Sequence, residues 1–92
     1  MLFMVIEHFR QRDSATVGER LFAKGRMLPD NVSYHASWVE TTGARCFQLV
    51  EAPTRDSLNG WISAWEDLLD FEVVPVVTSS DFWNREQPRA TS

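Results

Sequence analysis

The run Phe71-Glu-Val-Val-Pro-Val-Val-Thr78 is the feature that most narrows the folds open to this chain. Read in alternation, Phe71, Val73, Pro75 and Val77 take one side, and Glu72, Val74 and Val76 the other. Both sides are strongly apolar, so the segment reads as a strand with little tolerance for water on either face. Pro75 adds a second restriction. A proline has no N–H to give a sheet ladder, so this strand belongs at a sheet edge.

The remaining patterns supply the rest of that sheet. Leu2 to Phe9 is aliphatic and aromatic and stops at Arg10-Gln-Arg-Asp13, which predicts a buried strand. Asp13 or Ser14 is placed to cap a helix, and Thr16 with Glu19 has capping-box spacing. Val17, Leu21, Lys24 and Leu28 then share one helical stripe, with Phe22 beside it. Gly25 and Pro29 end the element, which is expected from about Ala15 to about Met27. Val32 to Glu40 reads as a half-buried strand, Thr41-Thr-Gly-Ala44 as a hairpin connection, and Arg45 to Glu51 as the third strand. Thr54 is the expected N-cap of a second helix, with Leu58, Ile62, Trp65 and Leu69 in its stripe and Trp61 and Leu68 broadening it. Phe71 to Thr78 closes the series.

This order predicts an α+β, ferredoxin-like βαββαβ domain, a four-stranded antiparallel sheet with two helices on one face. Residues 1–79 form the single domain and 80–92 a polar C-terminal tail that carries Phe82 and Trp83. Strands one and three take the centre, and Pro75 agrees with strand four at an edge. The same reading lays strands one and three parallel, with their C-terminal ends together.

Two helices cover only one face of such a sheet. In strand one, Leu2, Met4 and Ile6 alternate with Phe3 and Val5, so the other face is apolar as well. A monomer would expose more apolar area than soluble domains ordinarily tolerate. A two-fold homodimer through the open face is therefore expected. Burial of ~600 Å² per subunit at about 25 cal/mol per Å² is on the order of 15 kcal/mol before association entropy. The competing expectation is that the tail folds back and lays Phe82 and Trp83 on the sheet.

Composition excludes several partners. At 92 residues there is room for one core, and a net charge of −4 with pI about 5.0 disfavours a phosphate backbone. Lys24 is the lone lysine and the arginines are scattered, so no nucleic acid is expected. A glycine-rich phosphate loop is missing, and His8, His35 and Cys46 lack metal-ligand spacing, so neither cofactor nor metal is expected. No apolar run approaches the ~20 residues of a membrane span. Met1 to Ile6 is apolar but stops at Glu7, without a basic region before it or a cleavage site after it. With a single cysteine and no disulfide, the expected compartment is the cytoplasm.

Met1-Leu-Phe-Met-Val-Ile-Glu-His-Phe9, Gly25-Arg-Met-Leu-Pro29, Ser37-Trp-Val39, Arg45-Cys-Phe-Gln-Leu49, Trp61 with Trp65, and Asp70-Phe-Glu-Val-Val-Pro-Val76 resemble the domain-of-unknown-function family 3303. The resemblance runs from Met1 to about Thr78. It implies a dimeric α+β barrel of ferredoxin-like subunits, a superfamily of small monooxygenases, lactone isomerases and plain ligand-binding proteins. It implies no activity.

Two groups of residues carry possible chemistry. By period two, His8 shares a face with Met4 and Ile6, and Glu51 with Phe47 and Leu49. With parallel strands and both residues on the helix-side face, the two would meet where the helices begin, and the carboxylate would orient the imidazole as a general acid or base. The plainer reading is a hydrogen bond closing the core. Glu7, His35, Ser37, Gln48 and Glu72 are polar positions on otherwise apolar strands, assigned to the face away from Phe47 and Leu49. Enclosed by a dimer they would line a ligand cavity, or else sit at a wet rim. Trp61 and Trp65 read as core, and Arg26 as a cation at a helix C-terminus. Glu66, Asp67 and Asp70 crowd an unfavourable helix end, where Arg10, Arg12 or a bound cation would compensate.

Three functions remain open on the sequence. The first is a homodimeric binder of a small, partly apolar molecule. The second is a cofactor-free enzyme of monooxygenase or isomerase type, and the third an assembly module without a ligand.

Overall fold

In the computed structural model, residues 1–86 are described. The elements are β1 (Leu2–Phe9), α1 (Ser14–Lys24), β2 (Ser33–Val39), β3 (Arg45–Glu51), α2 (Asn59–Trp65), β4 (Leu69–Val76) and α3 (Ser79–Glu86). Short 3-10 turns, Arg10–Arg12 and Arg55–Leu58, lead into α1 and α2. The four strands form one sheet in the order β2-β3-β1-β4. This is the antiparallel ferredoxin-like arrangement, with β1 and β3 central and Pro75 on the edge strand β4.

One feature of the sequence reading is overturned. β1 runs antiparallel to β3, pairing Leu2 with Glu51 and His8 with Arg45. Strand three follows a hairpin, which reverses it against strand two, and a crossover makes strands one and two co-directional. The central pair must therefore run in opposite directions.

Local chemistry explains where each helix begins and ends. Asp13 caps α1: its carboxylate accepts the Thr16 amide at 3.1 Å and the Thr16 hydroxyl at 2.6 Å. Thr16 is therefore inside the helix, and the Thr16–Glu19 spacing plays no capping part. α1 stops at Lys24, short of Met27, because Gly25 turns to φ 68° and Met27 to φ 59°. α2 also ends early. Leu68 closes a turn onto the Trp65 carbonyl at 2.9 Å, and Leu69 opens β4 instead of finishing the helix. The side chain of Leu69 points inward in either case, so periodicity alone does not separate the two.

The helices cover the sheet face that carries Phe3, Val5 and Val50. These pack with Leu58, Trp61, Trp65 and Leu69 into the core, and Trp61 meets Phe71 edge-on at 6.0 Å. The opposite face is open. Across it Met4 lies level with Leu49 and Val74, and Ile6 with Phe47 and Glu72. Trp38, at 54% exposure, extends the apolar surface toward β2.

The acidic crowd near the end of α2 is neutralised from two directions. Arg20 of α1 makes a two-pronged pair with Asp67, both contacts at 2.7 Å, and reaches the Ala64 carbonyl. Arg10 pairs with Asp70 at 2.9 Å. Both pairs are solvent-exposed and contribute modestly.

The segment expected to be a polar tail begins with a helix, α3, whose first turn is held by the Thr78 hydroxyl accepting the Asp81 amide at 3.0 Å. Phe82 and Trp83 meet edge-to-face at 5.1 Å and remain 37% and 64% exposed, so neither is buried against the sheet. Residues 87–92 of the expected tail lie outside the described residues. Among the described residues no helix is long and apolar enough to cross a membrane.

Burial separates positions that matter for folding from those that do not. Trp61→Ala is expected to cost about 3–5 kcal/mol, because its side chain is almost wholly buried. Phe22→Ala, at a position 91% exposed, should stay within about 0.5 kcal/mol. Urea unfolding of the two variants checks this contrast.

Candidate functional site

α1 seats only partly on the sheet. It rests there only through Val17 and Leu21, which pack half-buried against the core; none of its residues is fully buried, and a cavity of about 230 Å³ lies between its inner face and the strands. Val17 and Leu21 of α1, with Phe9, Trp65 and Leu69, form a mainly apolar wall. Gly18 faces the same space, and a Cβ added there would meet nothing within 4 Å. Pockets for drug-sized ligands run to ~300–1,000 Å³, so this one suits a smaller molecule.

The polar end of the cavity is built on β1, β2 and β3. Because β1 and β3 are antiparallel neighbours, Glu7 lies directly across from Cys46, and Val5 across from Gln48. All four side chains point toward the helices. Glu7 is only 4% exposed and Gln48 7%. The Gln48 amide donates to Glu7 Oε2 at 3.0 Å and accepts from Arg26 Nε at 3.3 Å. Arg26 Nη2 also donates to Ser37 Oγ at 3.3 Å, and its guanidinium stacks 3.9 Å from the centre of the Tyr34 ring. Ser37 and Tyr34 share a 2.7 Å hydroxyl contact. The result is a relay from Arg26 through Gln48 to Glu7.

The electrostatics follow from burial. Desolvation pushes Glu7 up to about 7; the Gln48 amide, the Cys46 thiol and the Arg26 charge each pull the other way and only partly offset it. Burial first, and then the Glu7 carboxylate, pushes the Cys46 thiol up to about 12. Cys46 is thus a packing thiol at neutral pH and no nucleophile. Glu7 is poised between protonation states, as a proton acceptor in an enclosed site would need to be.

The sequence-derived candidates divide between the two faces. Glu7, Ser37 and Gln48 come together in the cavity, but on the helix-covered face and not on the open one. Glu72 lies on the open face, level with Ile6. His35 occupies the bulge between Tyr34 and Ala36, where its Nε2 meets Glu51 Oε1 at 3.2 Å. His8 and Glu51 stand near opposite ends of the central pair, about 20 Å apart at ~3.4 Å per residue. They form no acid–base pair. Arg26 is the charged cavity residue that sequence reasoning missed, since helix-end cations are common and only the fold turns this one inward. Among the described residues no group of three or more His, Cys, Asp or Glu side chains is placed to hold a metal.

A family model matches residues 1–89. The chain belongs to the family described as domain of unknown function (DUF3303). No curated protein and no solved structure matches it. For this DUF3303 chain the site must therefore be judged on its own geometry.

The elevated Glu7 carboxyl has a consequence for stability. In the unfolded chain it ionises near 4.5, and in the folded protein at about 7. Between these values the folded state keeps a proton the unfolded state has released, so stability falls as pH rises through the window. The loss is on the order of 3 kcal/mol, complete above the folded value and absent below the unfolded one. Glu7→Gln should remove this decline, and urea midpoints for both proteins at pH 5 and pH 8 measure it.

Proposed function

We propose that this DUF3303 chain is a homodimer that takes a small, mainly apolar molecule into the cavity between α1 and the sheet of each subunit. The observation that carries the reading is the cavity left beneath α1. An amphipathic helix with an apolar inner face ordinarily closes fully onto its sheet. Here Val17 and Leu21 pack only partly against the core and also border a cavity, which ends at a buried carboxyl, an amide and a guanidinium. Apolar walls with a few convergent polar groups are the usual composition of a ligand site.

The open face supports the dimer. Met4, Ile6, Phe47, Leu49 and Val74 form an apolar centre, with His8, Arg45, Glu51, Asp70 and Glu72 around its margin. An apolar centre with a polar rim is how protein interfaces are built, and a two-fold axis lets one such patch serve both subunits. Cytoplasmic residence fits a free Cys46.

A second reading is favoured by Glu7 alone: cofactor-free proton-transfer catalysis of the isomerase or monooxygenase type, with the carboxylate as base. Turnover lost in Glu7→Gln with binding retained would select that reading.

Native mass spectrometry tests assembly and binding together. The expected species is a dimer near twice 10.6 kDa at micromolar concentration, and Met4→Glu at the centre of the face should yield monomers. A monomeric wild-type protein would sink the assembly reading. Gly18→Leu fills the cavity and should abolish uptake of small apolar probes while leaving the dimer intact. Uptake unchanged in that variant would move the binding site elsewhere.

A further inference from the structure

We propose that the molecule held in this cavity carries a single carboxylate, gripped by Arg26, with its apolar body against Val17, Leu21 and Trp65. The inference rests on the binding reading above and gives it a ligand class.

Arg26 is the one cation lining the cavity among the described residues. Among the described residues, Arg10, Arg20 and Arg45 each pair with a carboxylate within 4 Å, and Arg26 does not. Its two side-chain hydrogen bonds go to neutral partners, Gln48 and Ser37, both at the long distance of 3.3 Å. Nη1 donates to no described residue, so part of the guanidinium fork is uncommitted. A half-buried guanidinium without a counter-charge is an unusual arrangement, and a planar anion is its natural complement.

The surroundings hold that fork in place. Stacking on Tyr34 occupies one face of the guanidinium and leaves its edges open. The backbone takes positive φ on both sides, at Gly25 and at Met27, and a methionine holds that left-handed geometry only where its surroundings enforce it. Trp65 Nε1 donates to the Arg26 carbonyl at 2.9 Å and pins the segment between those two positions. The strained stretch thus delivers one charged side chain into an apolar space.

Glu7 does not occupy the role of counter-ion. Gln48 stands between it and Arg26, and its buried carboxyl retains a proton up to about neutral pH. The other titratable group facing it is the Cys46 thiol, which is neutral there. α1 presents only Ser14, Val17, Gly18 and Leu21 to this space. One net positive charge in a small apolar cavity matches a monoanion. A phosphate would call for further cations that the lining lacks.

Calorimetric titration with phenylacetate and its uncharged isostere phenylacetamide tests the assignment, at pH 6, where the acid is ionised. Wild-type protein should prefer the acid by about tenfold to a hundredfold, the range of a charge-assisted contact. Arg26→Met should lose that preference and keep its affinity for the amide. Equal affinity for both probes in the wild type, or a preference that survives Arg26→Met, overturns the carboxylate inference while the binding reading stands. If Arg26→Met takes up neither probe, Arg26→Lys decides. A restored preference for the acid supports the assignment, and equal affinities overturn it. A wild-type protein that binds neither probe removes the binding reading and this inference together.

Discussion

Antiparallel pairing of β1 with both of its neighbours is the constraint from which the other features follow. It sets Phe3, Val5 and Glu7 on one face with Cys46, Gln48 and Val50, and sends Met4, Ile6 and His8 to the other. A shift of one residue in this register would exchange the faces, exposing the core row and burying His8. The same pairing brings Glu7 within reach of Gln48 and holds His8 far from Glu51. Chemistry at this sheet is therefore decided by strand direction before any side chain is considered.

Packing is uneven on the helix-covered face, and the unevenness locates the site. Around α2 the core is dense, with Leu58, Trp61 and Trp65 closed against Phe3 and Val50. Around α1 it is looser: Val17 and Leu21 pack half-buried against it, and Arg20 adds contacts to Asp67 and the Ala64 carbonyl. The ion pair is exposed and of limited strength. An element seated only partly, over a cavity, can admit a small molecule without unfolding the core.

The proposed assembly surface and the proposed ligand cavity fall on opposite faces of one sheet. The open face offers aliphatic and aromatic contact with charges at its border, whereas the covered face offers a void with a buried carboxyl and an unpaired guanidinium. A substitution at Met4 or Leu49 thus acts on the first without touching the lining of the second. The separation comes from strand alternation, since neighbouring residues of β1 and β3 serve different surfaces.

Element order, the edge position of Pro75 and the apolar character of both faces were legible in the residues, because they depend on local periodicity and on proline's missing donor. Glu7, Ser37 and Gln48 were legible as polar interruptions of apolar strands, although their face was not. Alternation groups residues into two sets without saying which set meets the helices. The direction of β3 against β1, the site of Arg26 and the cavity beneath α1 were decided only by the tertiary structure. Each depends on residues distant in sequence: Arg26 turns inward because Tyr34 supports it and Trp65 holds its carbonyl. No local pattern around Gly25-Arg-Met27 records those partners.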